Sequence, residues 1–238
     1  MAEWTERAEL LFKKQGLKNL KNSHVMVVGL GGVGSFAAEF LARAGVGTMT
    51  IVDGDVVDIT NINRQLPALH STVGQPKVTI VGDRLMDINP ELKLIRVQEF
   101  LSPERAYELV TPQYDYVLDC IDSITPKLNL LMSARRQKVK IISNMGAGGK
   151  YEASKVKVAD ISKTEYCPLA KTVRKRLKKE GITKGVKVVF STEEPDQTSL
   201  KMTDGTNFKK SFFGTNSWMP ALFGLHSAET VVKYLIKK

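Results

Sequence analysis

A glycine-rich segment near the N-terminus is the first feature that could carry chemistry. Its glycines, Gly29, Gly31, Gly32 and Gly34, contain the spacing G-x-G-x-x-G. The segment follows an apolar, β-rich run and precedes a helical pattern, a context in which backbone N–H groups hold a nucleotide phosphate. Asp53 follows at the end of the next apolar run and is placed to accept hydrogen bonds from ribose hydroxyls. The pattern predicts a bound adenine nucleotide and leaves NAD, FAD and ATP open.

The residues that follow Asp53 favour ATP. Arg64 carries a guanidinium that can make paired hydrogen bonds to phosphate oxygens, and Asn63 and Gln65 flank it. Lys77 adds a second cation at the start of a predicted helix. A dehydrogenase has no need for a fixed guanidinium just after its ribose-binding acid, so an NAD-binding oxidoreductase is the less favoured interpretation.

Two acidic residues come at the end of a later predicted strand. Asp119 and Asp122 stand where the carboxyl ends of parallel strands border a nucleotide crevice. A carboxylate at this place can hold Mg²⁺ against phosphate oxygens. We predict Asp122 as the metal ligand and keep Asp119 as the alternative.

These residues require a particular arrangement of elements. Apolar strands are predicted at 24–28, 48–52 and 116–119, with helical patterns at 34–44 and 77–88 between them. Such alternation is typical of right-handed βαβ units. The fold class predicted is α/β, a Rossmann-like, doubly wound, mostly parallel sheet with a basic C-terminal extension.

The net charge of +10 is concentrated in that extension. Residues 1–149 hold 17 Lys and Arg against 16 Asp and Glu, whereas residues 150–238 hold 18 against 9. We expect one domain, 1–238, in which 150–238 is an extension and not an independent unit. A predicted helix at 168–179 carries six cations and no acid, which favours contact with RNA phosphates over an ordinary solvated face. The RNA-binding residues predicted are Lys171, Arg174, Lys175, Arg176, Lys178 and Lys179.

Composition excludes several classes of protein. No apolar run approaches the length needed to cross a bilayer, and the first residues lack a secretory pattern, so we expect a cytoplasmic protein. The two cysteines, Cys120 and Cys167, cannot form a four-cysteine zinc site. Cys120 is interpreted as a buried apolar residue. Cys167 is a nucleophile candidate, set against an unreactive loop thiol.

Taken in order, five motifs resemble a known superfamily. GLGGVG, D-x-D, N-x-N-R-Q, V-G-x-P-K and D-x-x-D look like the ThiF/MoeB/E1 adenylating enzymes, which activate a carboxylate by forming an acyl-adenylate with ATP. The resemblance implies ATP and Mg²⁺ as cofactors and gives catalytic roles to Arg64, Lys77, Asp122 and Arg7. Motif and resemblance together predict nucleotide contacts from Gly29, Gly31, Gly32, Gly34, Asp53, Asp55, Asn63, Arg64, Gln65 and Lys77.

The role of Arg7 follows from the resemblance alone. In this family an N-terminal arginine often reaches the ATP site of the partner subunit, and Arg7 is the only arginine in the first 42 residues. The resemblance therefore implies a homodimer in which Arg7 acts in trans. An exposed helix-surface arginine is the alternative.

The second half resembles one branch of that superfamily, the tRNA threonylcarbamoyladenosine dehydratases. The similar stretches are GAGGK at 146–150, ADISKTEYCPLAKTVRKRLKKEGI and VVFSTEEP. The resemblance implies tRNA as partner and an ATP-dependent dehydration that releases AMP and pyrophosphate. Adenylation of a ubiquitin-like sulfur carrier is the alternative, although members with that role usually carry two C-x-x-C pairs and this chain has none. A sulfur-transfer protein remains open as a further partner.

Overall fold

A computed structural model describes residues 4–203 and 211–238. The helices are α1 (Glu6–Lys21), α2 (Gly34–Arg43), α3 (Lys77–Ile88), α4 (Pro103–Leu109), α5 (Ile124–Arg136), α6 (Pro168–Lys179) and α7 (Trp218–Leu235). The strands are β1 (His24–Val28), β2 (Thr48–Val52), β3 (Lys93–Val97), β4 (Tyr116–Asp119), β5 (Ile141–Asn144), β6 (Val156–Asp160), β7 (Lys187–Ser191), β8 (Leu200–Met202) and β9 (Ser211–Phe213). No helix formed by the described residues combines the length and apolarity that a membrane span needs.

Seven strands form one sheet in the order β3-β2-β1-β4-β5-β7-β6. All neighbours are parallel except β6, which pairs antiparallel with β7 at the edge. Chain order reverses between β1 and β4, so the crevice at their carboxyl ends is the place where open α/β sheets bind ligands. The predicted fold class, a Rossmann-like mostly parallel sheet, is confirmed.

The central strands are buried because helices cover both faces of the sheet. Val25, Val27, Val117 and Leu118 are fully buried, as expected for near-continuous apolar strands of a parallel sheet. Helices α2 and α7 pack so closely that a β-carbon at Gly224 would lie 2.4 Å from the carbonyl oxygen of Val33. The C-terminal helix is thereby held against the start of α2, next to the glycine-rich segment.

Residues 150–238 contribute directly to this architecture. They supply β6 and β7 to the main sheet, and α7 packs against α2, β5, β6 and β7. The helix α1, whose helical path breaks at Lys13 (φ +64°), and the short hairpin β8–β9 were not predicted from the sequence. Both carry weak periodic signals, since the hairpin strands have three residues each and α1 is mostly polar.

Candidate active site

The nucleotide loop lies at the carboxyl end of β1 and needs glycine at two positions for different reasons. Gly29 has φ +87°, and a β-carbon there would lie 2.9 Å from the carbonyl oxygen of Cys120. A β-carbon at Gly34 would lie 1.7 Å from the oxygen of Gly29. The loop therefore turns tightly at the end of β1 and leads directly into α2, and the first N–H groups of a helix are a common binding site for phosphate.

Asp53 is fixed against this loop at the end of β2. Its Oδ2 accepts a hydrogen bond of 2.5 Å from the backbone N–H of Leu30, and its Oδ1 accepts one of 2.7 Å from that of Asp55. Burial raises the pKa of Asp53 above its usual value, while the two backbone donors act in the opposite direction. The structure thus brings the predicted ribose acid to the nucleotide loop.

Lys77 and Asp55 form a pair beside Asp53. Lys77 is only 5% exposed, and its Nζ lies 2.9 Å from Oδ2 of Asp55. The backbone N–H of Lys77 also donates to the carbonyl oxygen of Asp55 at 3.0 Å. Asp55, predicted as a nucleotide contact, therefore orients the lysine in this structure. An ammonium group held at the start of α3 is suited to receive phosphate charge.

The Asn63-Arg64-Gln65 segment covers the nucleotide loop from the other side. Nη1 of Arg64 donates to the side-chain oxygen of Asn63 and to the carbonyl of Thr60, both at 2.9 Å. Burial lowers the pKa of Arg64, and nearby Asp122 acts against that shift. Asp122 is therefore near enough to Arg64 to interact with it electrostatically, and their roles as phosphate cation and metal acid stay predictions.

Gln65 provides an observation that bears on ligand binding. A β-carbon at Gly31 would lie 3.6 Å from Nε2 of Gln65, so the amide rests on the nucleotide loop. Its Oε1 is buried and accepts no hydrogen bond from any described residue. A buried acceptor of this kind usually has a partner. The arrangement fits a ligand that offers a hydrogen-bond donor, such as a nucleotide hydroxyl, next to Gln65 and the loop.

Asp119 is better explained as a structural residue than as a metal ligand. It is fully buried, and its Oδ2 lies 2.7 Å from Nζ of Lys127 and 2.5 Å from Oγ of Ser143. Its Oδ1 accepts the backbone N–H of Ile121 at 3.1 Å. Asp122, by contrast, is exposed at the crevice. The geometry therefore favours the first of the two metal-ligand predictions.

Lys127 is the residue of this region that sequence reasoning missed. Its side chain is 0% exposed and donates to Asp119, to Ser143 and, at 2.9 Å, to the carbonyl oxygen of Asn144. Ser227 of α7 donates to Oδ1 of Asn144 at 2.8 Å, which links the network to the C-terminal helix. A lysine is rarely fully buried, so its type suggested a surface position.

The described residues contain no group of three or more His, Cys, Asp or Glu side chains arranged to hold a metal ion. The predicted Mg²⁺ site is of another kind, because Mg²⁺ is commonly held by one or two carboxylates together with substrate phosphates. Asp122 is the carboxylate that could serve here. No closed metal site made by protein side chains alone is needed.

Arg7 lies outside this cluster. It is exposed on the first turn of α1, and no hydrogen bond or ion pair within the described part of the chain connects it to another residue. It therefore remains a prediction for the site of a partner subunit.

The predicted basic helix forms as α6, with the expected bounds. Its buried stripe consists of Ala170, Val173 and Leu177, while Leu169 is half-buried. Arg174 differs from the other cations because its guanidinium turns back to hydrogen-bond the carbonyl and hydroxyl oxygens of Thr164. The cations that remain exposed are Lys171, Lys175, Arg176, Lys178 and Lys179.

The environments of both thiols disfavour a nucleophilic role. Burial raises the pKa of Cys120 far above its ordinary value. Cys167 is 4% exposed and caps α6, with its Sγ accepting the N–H of Ala170 at 3.5 Å. Cys120 is only half-buried but packs against the apolar core, and Cys167 acts as a helix cap.

The chain is similar to known proteins over nearly its whole length, both in sequence and in structure. The chain is 45% identical to tRNA threonylcarbamoyladenosine dehydratase of Bacillus subtilis, covering 97% of this chain and 94% of that protein. It is 37% identical to the Escherichia coli protein of the same name, covering 96% and 91%. The crystal structure of E. coli tRNA N6-threonylcarbamoyladenosine dehydratase in complex with ATP superposes with a TM-score of 0.88 at 36% identity, covering 97% of this chain and 93% of that one.

The family model described as the ThiF family matches residues 6–238. The match includes both the nucleotide loop and the basic helix, so it covers the two regions from which function was predicted. The chain therefore belongs to the ThiF family.

Proposed function

We propose that this protein catalyses the ATP-dependent cyclisation of N6-threonylcarbamoyladenosine in tRNA. The observation that carries the proposal is the similarity, over nearly the full chain, to relatives named for this dehydratase. The solved relative in complex with ATP supports ATP as the activating substrate. The crevice between β1 and β4 supplies the residues that such a reaction needs.

The chemistry consists of two displacements. The threonyl carboxylate attacks the α-phosphorus of ATP, the bond to the β-phosphate oxygen breaks, and pyrophosphate leaves. A nitrogen of the same modified base then attacks the acyl carbon, loses its proton, and displaces AMP. The net change in the nucleoside is the loss of one water. No step needs a side-chain nucleophile, which agrees with the raised pKa of the Cys120 thiol and the burial of Cys167.

The protein contributes position and charge. The nucleotide loop would hold phosphates on its N–H groups, and Asp53 would bind the ribose. Arg64 and Lys77 would offset the negative charge that develops as pyrophosphate leaves, and groups already in place need little reorganisation. Asp55 and Asn63 hold the two cations through direct hydrogen bonds.

Asp122 would hold Mg²⁺ beside the phosphates. It is exposed at the crevice and lies close enough to Arg64 to affect the guanidinium pKa. Bound there, Mg²⁺ supplies Lewis-acid polarisation of phosphate oxygens.

The basic helix α6 is the proposed contact for the tRNA backbone. Its five exposed cations have no acidic residue among them, and phosphate contacts of this kind position a nucleic acid without reading its bases. A homodimer with Arg7 in the partner's site, and a cytoplasmic location with tRNA, belong to the same proposal.

Adenylation of a ubiquitin-like sulfur carrier would use the same crevice. The charge excess in residues 150–238 and the absence of C-x-x-C pairs disfavour it for this chain. It predicts pyrophosphate release that depends on a carrier ending in Gly-Gly and does not respond to RNA.

A direct assay tests the proposal. The protein is incubated with ATP, Mg²⁺ and tRNA that carries the linear modified nucleoside, and digested nucleosides are analysed by mass spectrometry. We expect the nucleoside to lose the mass of one water with stoichiometric AMP. An unchanged nucleoside, with the Bacillus subtilis relative active in parallel, would contradict the proposed function.

A further inference from the structure

Two aromatic side chains stand exposed beside the crevice and have no role in the adenylation chemistry. Trp218, the first residue of α7, is 48% exposed, and Tyr151 is 58% exposed. Large rings usually lose more of their surface on folding. We call these two residues the aromatic shelf.

Hydrogen bonds hold the indole of Trp218 and the backbone of Tyr151 in place although both rings are exposed. Nε1 of Trp218 donates to the carbonyl oxygen of Tyr151 at 2.9 Å, which satisfies the polar atom of the indole and leaves ring surface accessible. The backbone N–H of Tyr151 donates to both carboxylate oxygens of Glu193, at 2.9 and 3.0 Å. Asn216 donates to the carbonyl of Lys150 at 2.7 Å and ties the two segments together. Such pre-organisation lowers the entropy cost of binding.

The chain segment around Trp218 contacts the nucleotide loop and the Asn63-Arg64-Gln65 segment. A β-carbon at Gly32 would lie 3.0 Å from Cβ of Pro220, two residues after Trp218. Nδ2 of Asn63 donates to the carbonyl oxygen of Thr215 at 2.9 Å, three residues before Trp218. The segment that carries the indole therefore touches both walls of the crevice. A group bound on the shelf would therefore lie next to the segment that borders the nucleotide loop.

We infer that the aromatic shelf stacks an unpaired nucleobase of the RNA substrate. The inference rests on the proposed function and adds to it the contact that presents the modified nucleoside. Unpaired bases in RNA loops stack on aromatic side chains, whereas the paired stem is held through phosphates. Both residues belong to the 150–238 extension, which has 18 Lys and Arg against 9 Asp and Glu and so suits a polyanionic partner.

Tryptophan fluorescence can test the contact because the chain has only Trp4 and Trp218. The full-length Trp4→Phe variant leaves Trp218 as the sole indole. We expect its emission to be quenched by an anticodon stem-loop RNA that carries the modified adenosine, and not by ATP alone. Quenching should disappear when the modified adenosine and its loop neighbours are replaced by abasic sites. Unchanged emission at saturating RNA would overturn the inference.

Substitution provides the second measurement. Trp218→Ala and Tyr151→Ala should each raise the Kd for the RNA about tenfold, and Trp218→Phe should restore part of the loss because a ring remains. The Kd for ATP and the melting temperature of Trp218→Phe should stay at the wild-type values. Unchanged RNA affinity in both alanine variants would overturn the inference.

Two further outcomes distinguish a failure of the proposed function from a failure of the stacking inference. If the wild-type protein forms no cyclic nucleoside, the proposed function fails, and the shelf is then judged by fluorescence alone. If the wild-type protein is active and Trp218→Ala binds RNA normally but changes the sedimentation coefficient, the shelf contacts a second copy of the chain and the inference is wrong.

Discussion

Arg64 is the residue whose environment most clearly separates a role in the site from a role in the fold. Its guanidinium is half-buried at the crevice near Asp122, and its hydrogen bonds go only to neighbours within its own segment, Thr60 and Asn63. Nothing in the core depends on it. Loss of the side chain should therefore affect phosphate binding far more than stability.

The first prediction concerns Arg64→Ala. We expect the rate of pyrophosphate release to fall by about 10²-fold or more, the usual effect of removing one charged donor at a transition state. The melting temperature should change little. The matched control is Arg84→Ala, which removes an exposed guanidinium bound to Glu39 on another surface and should keep its activity. Retained pyrophosphate release in Arg64→Ala would remove this residue from the site.

Residue types and their spacing predicted the polar residues that border the crevice. They did not predict the buried polar contacts behind the crevice. Asp53 lies against the nucleotide loop and Arg64 lies near Asp122, because their order along the chain follows the βα units, and their roles in binding stay predictions. Asp119 and Asp122 could not be separated by spacing. Only the tertiary contact of Asp119 with Lys127 distinguishes them.

At the scale of elements, the buried Lys127–Asp119 pair joins α5 to β4, and through Ser143 and Asn144 to β5. The loop between β4 and α5 carries Asp122. The network therefore fixes the backbone from which the proposed metal ligand projects. A substitution that removes only Lys127 or only Asp119 leaves the other charge buried without a partner.

Lys127→Met should lower the free energy of unfolding by about 3–5 kcal/mol, because the carboxylate of Asp119 stays buried and unpaired. The double variant Lys127→Met/Asp119→Asn should recover part of that loss, since the remaining group is neutral. Denaturant unfolding measures both. The control is Lys155→Met, which breaks an exposed pair with Glu152 and should have no measurable effect. Equal stability of Lys127→Met and wild type would contradict the role of Lys127 as the partner that neutralises buried Asp119.

The basic helix α6 gives an element-scale prediction that separates RNA from ATP. Replacing Lys175, Arg176 and Lys179 with Gln should weaken RNA binding. The salt dependence should flatten by about one unit of slope for each phosphate that a cation no longer neutralises. ATP affinity should not change. Filter binding over a range of salt concentrations measures the RNA affinity and its slope, and a separate titration measures ATP.

Its control removes three exposed lysines from other surfaces, Lys14, Lys93 and Lys237. Equal losses in the two triple variants would mean that net charge, and not α6, attracts the RNA. Arg174 is left unchanged because it hydrogen-bonds Thr164, so its loss would also disturb the fold.

At the scale of the whole molecule, residues 150–238 share the sheet and the core of the first part of the chain. We therefore expect this basic segment to be an extension of one domain. Residues after 150 supply β6, β7 and α7, and Phe223, Val231 and Val189 lie fully buried in the same core as β1. Alternation of apolar strands and helices was enough to predict this class of fold. The antiparallel direction of the edge strand β6 could not be predicted, because the direction of a strand depends on partners distant in the sequence.

A fragment of residues 1–149 should therefore fail to fold. It would expose the faces of α2 and β5 that α7 covers, and it would lose Ser227, which binds Asn144. We expect no cooperative melting transition in the fragment and one in the full chain. Cooperative melting together with ATP binding by the fragment would show that the first part is an independent domain.

Arg7 and Arg64 permit a test of the predicted homodimer. If Arg7 enters the partner's site, then Arg7→Ala and Arg64→Ala homodimers are both impaired, since every site lacks one arginine. In a mixed dimer, the site on the Arg7→Ala subunit keeps its own Arg64 and receives the intact Arg7 of its partner. Random pairing after co-expression should then restore about a quarter of wild-type activity. The exposed position of Arg7, with no hydrogen bond or ion pair inside the described chain, is what this arrangement requires. Activity no higher than that of the separate variants would place Arg7 outside the partner's site and leave it as a surface residue of α1.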